Sequence, residues 1–261
     1  IFAVQVALAA LWRSWGVEPD AVVGQSLGEV AAAHVAGALS LDDAACIICR
    51  RSRLVKSMSG RGGMAVVALS LEEAQSTLAG YEDCVSIGVS SSPSSTVLSG
   101  DPGALEEILA GLEEKGVFWR WIKVDYASHS PQVEPLRPEL LKAVDGVRPR
   151  SSSVPIYSTV TGKAGDGRDF DTAYWVENLR QPVLFSKAVE RLAEDGHEVF
   201  LEISPHPVLL GAVEQDADVL HLHGVAGLRG LALALGLRLA VRHQGSPPGS
   251  SRFCLSIYQS S

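Results

Sequence analysis

Gly24-Gln25-Ser26-Leu27-Gly28 has the form G-x-S-x-G, a spacing that lets a serine hydroxyl stand out at a sharp turn between a strand and a helix. Its flanks suit that turn. Ala21-Val22-Val23 is a short apolar run, and Glu29-Val30-Ala31-Ala32-Ala33 is rich in helix formers. A helix N-terminus behind Ser26 favours developing negative charge, which makes the Leu27 N–H a natural oxyanion donor. A glycine-bounded turn without chemistry is the plainer reading of the same five residues; the strand before and the helix after favour a nucleophile.

A serine nucleophile needs a base. His129 lies in the polar loop Tyr126-Ala127-Ser128-His129-Ser130-Pro131, where a histidine is ordinarily just solvent-facing, but beside a candidate nucleophile it becomes the leading base. Only the fold can bring it to Ser26. Arg51 is the third candidate. Ala44, Ile48, Arg51, Val55 and Met58 recur at helical spacing, so Arg51 falls within an apolar stripe. An inward arginine cannot lose its charge and needs an acid or an anionic ligand, and its planar fork fits a carboxylate. A structural ion pair or a snorkelling stem would explain the same stripe. His206, in Ser204-Pro205-His206-Pro207, is either a loop residue at the end of a strand or part of a rigid turn.

The elements that must position these residues alternate between strand and helix patterns. Ser40-Leu41-Asp42-Asp43 opens a helix that runs to about Ser59, where Gly60, Gly62 and Gly63 stop it. Between Met64 and Asp125 the patterns read strand, helix, strand, strand, helix, strand, with the last strand over Val117 to Val124. That βαββαβ order is ferredoxin-like. Strands at Val154 to Ser158 and Val199 to Ile203, with helices at Thr172 to Leu179 and Ser186 to Asp195, complete an α/β pattern.

Composition limits the partners. The chain has 261 residues, 46% hydrophobic, with a net charge of -8, which argues against nucleic acid or an anionic membrane surface. With no apolar run long enough to span a bilayer and no signal peptide, a cytoplasmic location is expected. Cys46 and Cys49 form a C-x-x-C inside a helical pattern without a second ligand pair; buried thiols are expected, and no metal. All 30 Asp and Glu stand at or before Asp218. Residues 219–261 are therefore set apart as an atypical tail, possibly non-native, with a linker-like Gly245 to Ser251, and are given no function. The chain opens at Ile1 in an apolar helical pattern, as a piece of something longer would.

Gly24-Gln25-Ser26-Leu27-Gly28-Glu29, Arg51 in Cys49-Arg50-Arg51-Ser52-Arg53-Leu54, Gly62-Gly63-Met64-Ala65, Tyr126-Ala127-Ser128-His129 and Ser204-Pro205-His206-Pro207 occur in that order. With them the chain closely resembles the acyltransferase domain of modular type I polyketide synthases, within the malonyl-CoA:acyl carrier protein transacylase family, from Ile1 to about Gln215. The resemblance implies an α/β-hydrolase-like core over residues 1–63 and 126–218, truncated at its N-terminus, with a ferredoxin-like subdomain over residues 64–125. It also implies an acyl-serine enzyme that moves an extender from coenzyme A to the phosphopantetheine thiol of an acyl carrier protein, with a ketosynthase in the same polypeptide and no bound cofactor. Ser26 would be the nucleophile, His129 the base and acid, Leu27 the oxyanion donor and Arg51 the carboxylate clamp. Gln25, Tyr126, Ser128 and Ser91 would face substrate, and the backbone around His206 would orient the histidine. Tyr126-Ala127-Ser128-His129 is similar to the methylmalonyl signature, whereas Leu27 is nearer the malonyl type; methylmalonyl is favoured. The family pattern has histidine at Gln25 and asparagine at Ser91, and its glycine-glutamine segment on the oxyanion side falls before Ile1. A serine hydrolase such as a thioesterase, or a non-catalytic fragment, is the alternative.

Overall fold

The computed structural model describes residues 1–220, 225–226 and 252–259. Its first elements are α1 (Phe2–Ser14), β1 (Ala21–Ser26), α2 (Gly28–Val35) and α3 (Leu41–Lys56). Every residue of β1 is buried. Successive side chains of a strand point to opposite faces, so Val22 packs in one apolar cluster with Trp12 and Val30, whereas Ala21 and Val23 pack in another with Phe185, Val189 and Leu192. A strand covered on both faces explains the unbroken apolar run in the sequence. In α3 the fully buried stripe is Ala44, Ile47, Arg51 and Val55; Ile48 is only half-buried. The expected burial of both thiols is corrected here, since Cys49 lies on the solvent face of this helix and Cys46 is half-buried.

The next six elements are β2 (Gly63–Val67), α4 (Leu71–Thr77), β3 (Val85–Ser92), β4 (Ser95–Gly100), α5 (Pro102–Glu114) and β5 (Trp119–Trp121). Side chains start both helices: Ser70 and Glu73 form a reciprocal capping box, and Asp101 accepts the Ala104 N–H. The strands pair antiparallel in the order β5-β2-β4-β3, the ferredoxin-like arrangement. Leu105, Leu109 and Leu112 of α5 pack with Ala65 and Leu98 in a core of the insert's own. β5 is shorter than the expected Val117 to Val124, because the Val124 N–H turns back to the Ile122 carbonyl and the chain leaves the ladder there.

The chain then supplies α6 (Arg137–Ala143), β6 (Ile156–Ser158), β7 (Lys163–Gly165), α7 (Thr172–Arg180), β8 (Val183–Leu184), α8 (Phe185–Glu194), β9 (His197–Ile203), α9 (Leu210–Leu220), β10 (Val225–Ala226) and β11 (Arg252–Gln259). The main sheet runs β10-β9-β11-β1-β6-β7, and β1 is parallel to both its neighbours. This is a mixed α/β fold with a hydrolase-like sheet and a ferredoxin-like insert. β8 adds a parallel fifth strand to the insert's sheet beside β3, which joins the two units close to the Ser26 end of β1.

Within residues 219–261, set apart above as an atypical tail, β11 lies between β9 and β1 with Cys254, Leu255, Ser256 and Ile257 buried. Its β-prone sequence, which carries no Asp or Glu, suits a slot covered on both faces. The linker-like Gly245 to Ser251 lies outside the described residues.

Candidate active site

Ser26 ends β1 in the left-handed region, with φ 53°. A non-glycine residue there costs about 1–3 kcal/mol and persists only where its surroundings impose it. Gly24 explains what does: a Cβ at that position would collide with the Glu29 backbone nitrogen. Only glycine lets the first turn of α2 close over the end of the strand. Leu27 stands at the N-cap of α2, so its N–H belongs to the set that begins a helix without intrahelical acceptors.

His129 is the second left-handed residue, with φ 62°. Its backbone N–H donates to the Leu179 carbonyl at 2.9 Å. Gly62 sits beneath the loop, where a Cβ would come within 2.6 Å of the Ala127 nitrogen. The imidazole is 1% exposed, its Nδ1 is 2.9 Å from the Gln181 carbonyl, and its Nε2 is 2.7 Å from Ser26 Oγ. A carbonyl oxygen can only accept, so Nδ1 carries the proton and Nε2 turns its lone pair to the serine. Burial and then the nearby Arg51 charge push the imidazole pKa down to about 3, against a smaller opposing pull from the Gln181 carbonyl. The ring is thus neutral near pH 7.

Arg51 is 1% exposed. Its Nη2 donates to Ser26 Oγ at 3.3 Å and its Nη1 to Asn178 Oδ1. Among the described residues no carboxylate pairs with it directly. Burial lowers its pKa to about 10, while the charge of Glu29 pulls the other way, and it remains a cation. Asn178 Nδ2 donates to the Ser26 carbonyl at 3.2 Å and to Glu29 Oε2 at 2.8 Å. Glu29, wholly buried, also accepts from the Thr159 N–H, from the Thr159 hydroxyl at 2.6 Å and from the Tyr174 hydroxyl. Burial raises its pKa and these donors partly restore it.

Two cavities flank Ser26. One of about 550 Å³ lies between the main sheet and the insert and is lined by Gln25, Ser26, Ser91, Val97, Trp121 and His129, among others. The other, about 230 Å³, is lined by Leu27, Arg51, Val55, Ser59, Asp125 and Tyr126 with two further residues. Gln25 and Ser91 therefore face the first cavity and Tyr126 the second. Ser128 faces neither: it is fully buried, with its hydroxyl on Met64 Sδ at 3.6 Å and its carbonyl accepting from Ser99. Nor does the turn around His206 hold the histidine, because the Gln181 carbonyl occupies Nδ1. Instead the His206 carbonyl accepts from Ser204, and Glu202 gathers the N–H groups of Val208, Leu209 and Leu210 to start α9.

Glu29, Asn178 and Gln181 are the residues that sequence reasoning missed. Glu29 directly follows Gly28, and a glutamate among Val30, Ala31, Ala32 and Ala33 was a usable signal of a buried acid. Gln181 acts through its backbone carbonyl and leaves no side-chain signal. Among the described residues no cluster of His, Cys, Asp and Glu could hold a metal ion, and no helix is long and apolar enough to cross a membrane.

A mostly parallel α/β sheet carrying a G-x-S-x-G turn, with a ferredoxin-like insert beside it, defines the acyltransferase class of α/β proteins. The chain belongs to the acyl transferase domain family, whose model matches residues 1–227, and it is an acyltransferase. It is 46% identical over 273 residues to erythronolide synthase EryA2 of Saccharopolyspora erythraea, covering 99% of this chain and 8% of that protein. It is 54% identical over 218 residues to the spectinabilin polyketide synthase system protein NorA of Streptomyces orinoci, covering 84% of this chain and 12% of that one. The chain thus spans a small part of the curated relatives it matches. The solved acyltransferase domain from module 8 of the salinomycin polyketide synthase superposes with a TM-score of 0.87 at 43% identity, covering 95% of this chain and 60% of that one. The resemblance drawn from the motifs, to acyltransferase domains of modular polyketide synthases, is met in sequence and in structure.

Proposed function

We propose that this chain takes a malonyl-type extender, methylmalonyl in preference to malonyl, from its coenzyme A thioester and passes it to the phosphopantetheine thiol of an acyl carrier protein, within a polyketide synthase that also carries a ketosynthase. The observation that carries this reading is the buried Arg51 cation 3.3 Å from a serine Oγ that is itself 2.7 Å from a histidine Nε2. A buried guanidinium without a direct counter-charge is suited to accept one from a ligand.

His129 Nε2 takes the Ser26 proton as Oγ attacks the thioester carbonyl, and the Leu27 N–H meets the oxyanion. The intermediate collapses, the coenzyme A sulfur leaves, and the Nε2 proton passes to it. In the second half the carrier thiol gives its proton to Nε2 and attacks the acyl-serine carbonyl; as that intermediate collapses, the bond to Oγ breaks and Nε2 returns the proton to Ser26 Oγ. The imidazolium that forms in each half lies beside Arg51, which disfavours it. An extender carboxylate on Arg51 offsets that charge, so a carboxylated acyl group both orients itself and strengthens the base. The neutral Gln181 carbonyl on Nδ1 suits this scheme better than a hydrolase triad, which would place a carboxylate there.

The test is to incubate the protein with methylmalonyl-CoA or malonyl-CoA and a phosphopantetheinylated carrier protein, and to follow the carrier's mass. Loading of the carrier, faster with methylmalonyl-CoA, is expected. Release of free acid while the carrier stays unloaded would favour a hydrolase instead.

A further inference from the structure

α7 buries Trp175, Val176, Asn178 and Leu179 on one face, so a primary amide stands where the helix pattern calls for an apolar side chain. Asn178 is 1% exposed, and a buried amide with unmet hydrogen bonds is costly. Here its polar atoms are matched. Oδ1 accepts from Arg51 Nη1, and Nδ2 donates to Glu29 Oε2 at 2.8 Å and to the Ser26 carbonyl at 3.2 Å. The orientation of the amide is unambiguous, because a guanidinium can only donate and the two oxygens can only accept. Glu29 is held in turn by Thr159 and Tyr174, so the amide cannot turn without breaking a buried set of bonds reaching to Thr159 and α7.

Holding Nη1 leaves the Nη2 edge of the guanidinium turned to Ser26 Oγ. The same amide braces the carbonyl of the residue in the left-handed turn. The position of the cation and the position of the reacting hydroxyl are therefore set by one side chain. We infer that Asn178 is the positioning residue that makes the site selective for carboxylated acyl groups, by fixing the Arg51 fork in register with the Ser26 turn.

This inference rests on the transacylase reading, and its test separates the two. Ser26 acylation is measured by quenched-flow intact mass with methylmalonyl-CoA and with propionyl-CoA, which differ only in the carboxylate. Asn178→Ala should lower the ratio of the two kcat/KM values by about tenfold or more, mainly through a higher KM for methylmalonyl-CoA, as losing an oriented charge-assisted contact implies. In an Arg51→Ala background the same change should leave the ratio within about twofold, the signature of residues acting through one another. Should Asn178→Ala not fold by circular dichroism, Asn178→Ser keeps a hydroxyl donor and acceptor in the site but is too short to bridge Arg51 and the Ser26 carbonyl, so the same fall is expected. An equal fall for both substrates, or an unmoved ratio, overturns the inference alone. Absence of any acyl-serine in the unsubstituted chain overturns the transacylase reading and the inference with it.

Discussion

The two sides of Ser26 are built differently. Towards the main sheet lie Arg51, Asn178 and Glu29, all buried, drawn from three helices and joined by hydrogen bonds. Towards the insert lies the larger cavity, where Val66, Val89, Val97 and Ile122 alternate with the hydroxyls of Ser91, Ser92 and Ser95. The first side is a fixed charge array with little room to adapt, since each member's partner is itself constrained. The second is a shaped wall of weak contacts. On the function proposed above, anion recognition would fall to the rigid side and discrimination among acyl side chains to the wall, where a methylene is worth only about 1–3 kcal/mol.

His129→Ala should produce a large loss, about 10²- to 10⁴-fold in Ser26 acylation, for carboxylated and uncharged acyl-CoA alike; stopped-time mass spectrometry reads it directly. Arg51→Ala should split the substrates. Acylation by methylmalonyl-CoA should fall about 10- to 10³-fold, the scale of losing one partner of a buried charge pair, whereas propionyl-CoA should not fall, since removing the Arg51 charge also strengthens the base. An equal fall for both would erase the distinction between the two sides.

The histidine gives a pH test of the same array. Its imidazole is held near pKa 3 by burial first and the Arg51 charge second, so the neutral base persists in acid. The kcat/KM for propionyl-CoA should therefore stay level from about pH 8 down to about pH 5. Removing Arg51 removes one of the two depressing causes, so the acid limb of Arg51→Ala should move up towards neutrality. A limb already near the ordinary histidine value in the unsubstituted chain would contradict the burial argument. The smallest effect belongs to the wall: Ser91→Asn, which puts in the residue that the resemblance implies there, should change the methylmalonyl-to-malonyl ratio by about two- to fivefold, leaving the ratio of carboxylated to uncharged substrates as it was.

The rigid side was also the less legible from sequence. Ser26, His129 and Arg51, which the structure brings together, could be singled out because motif, loop and helical period each leave a local trace. The ferredoxin-like order could be read because every element carries its own cap or turn signal, Ser70 and Asp101 among them. The contacts that hold the site together are long-range or made by backbone, as with Asn178 to Ser26 and Gln181 to His129, and no local spacing encodes them. The role assigned to His206 failed for that reason: a histidine between prolines looked significant, while the carbonyl that does the work belongs to a residue whose side chain is occupied elsewhere. The substrate-facing role given to Ser128 failed because neighbouring positions in a left-handed loop point apart, so the histidine's approach to Ser26 turns Ser128 towards Met64. The absence of Asp and Glu that set residues 219–261 apart is, over β11, also what a strand covered on both faces favours, so it left no signal for that strand.

The most direct measurement is intact-mass analysis after brief exposure to equimolar methylmalonyl-CoA and malonyl-CoA, with Ser26→Ala in parallel. One acyl adduct, mainly methylmalonyl and absent from Ser26→Ala, is the expected result. No adduct in the unsubstituted chain, or one that survives in Ser26→Ala, would contradict the acyl-serine at the centre of this site.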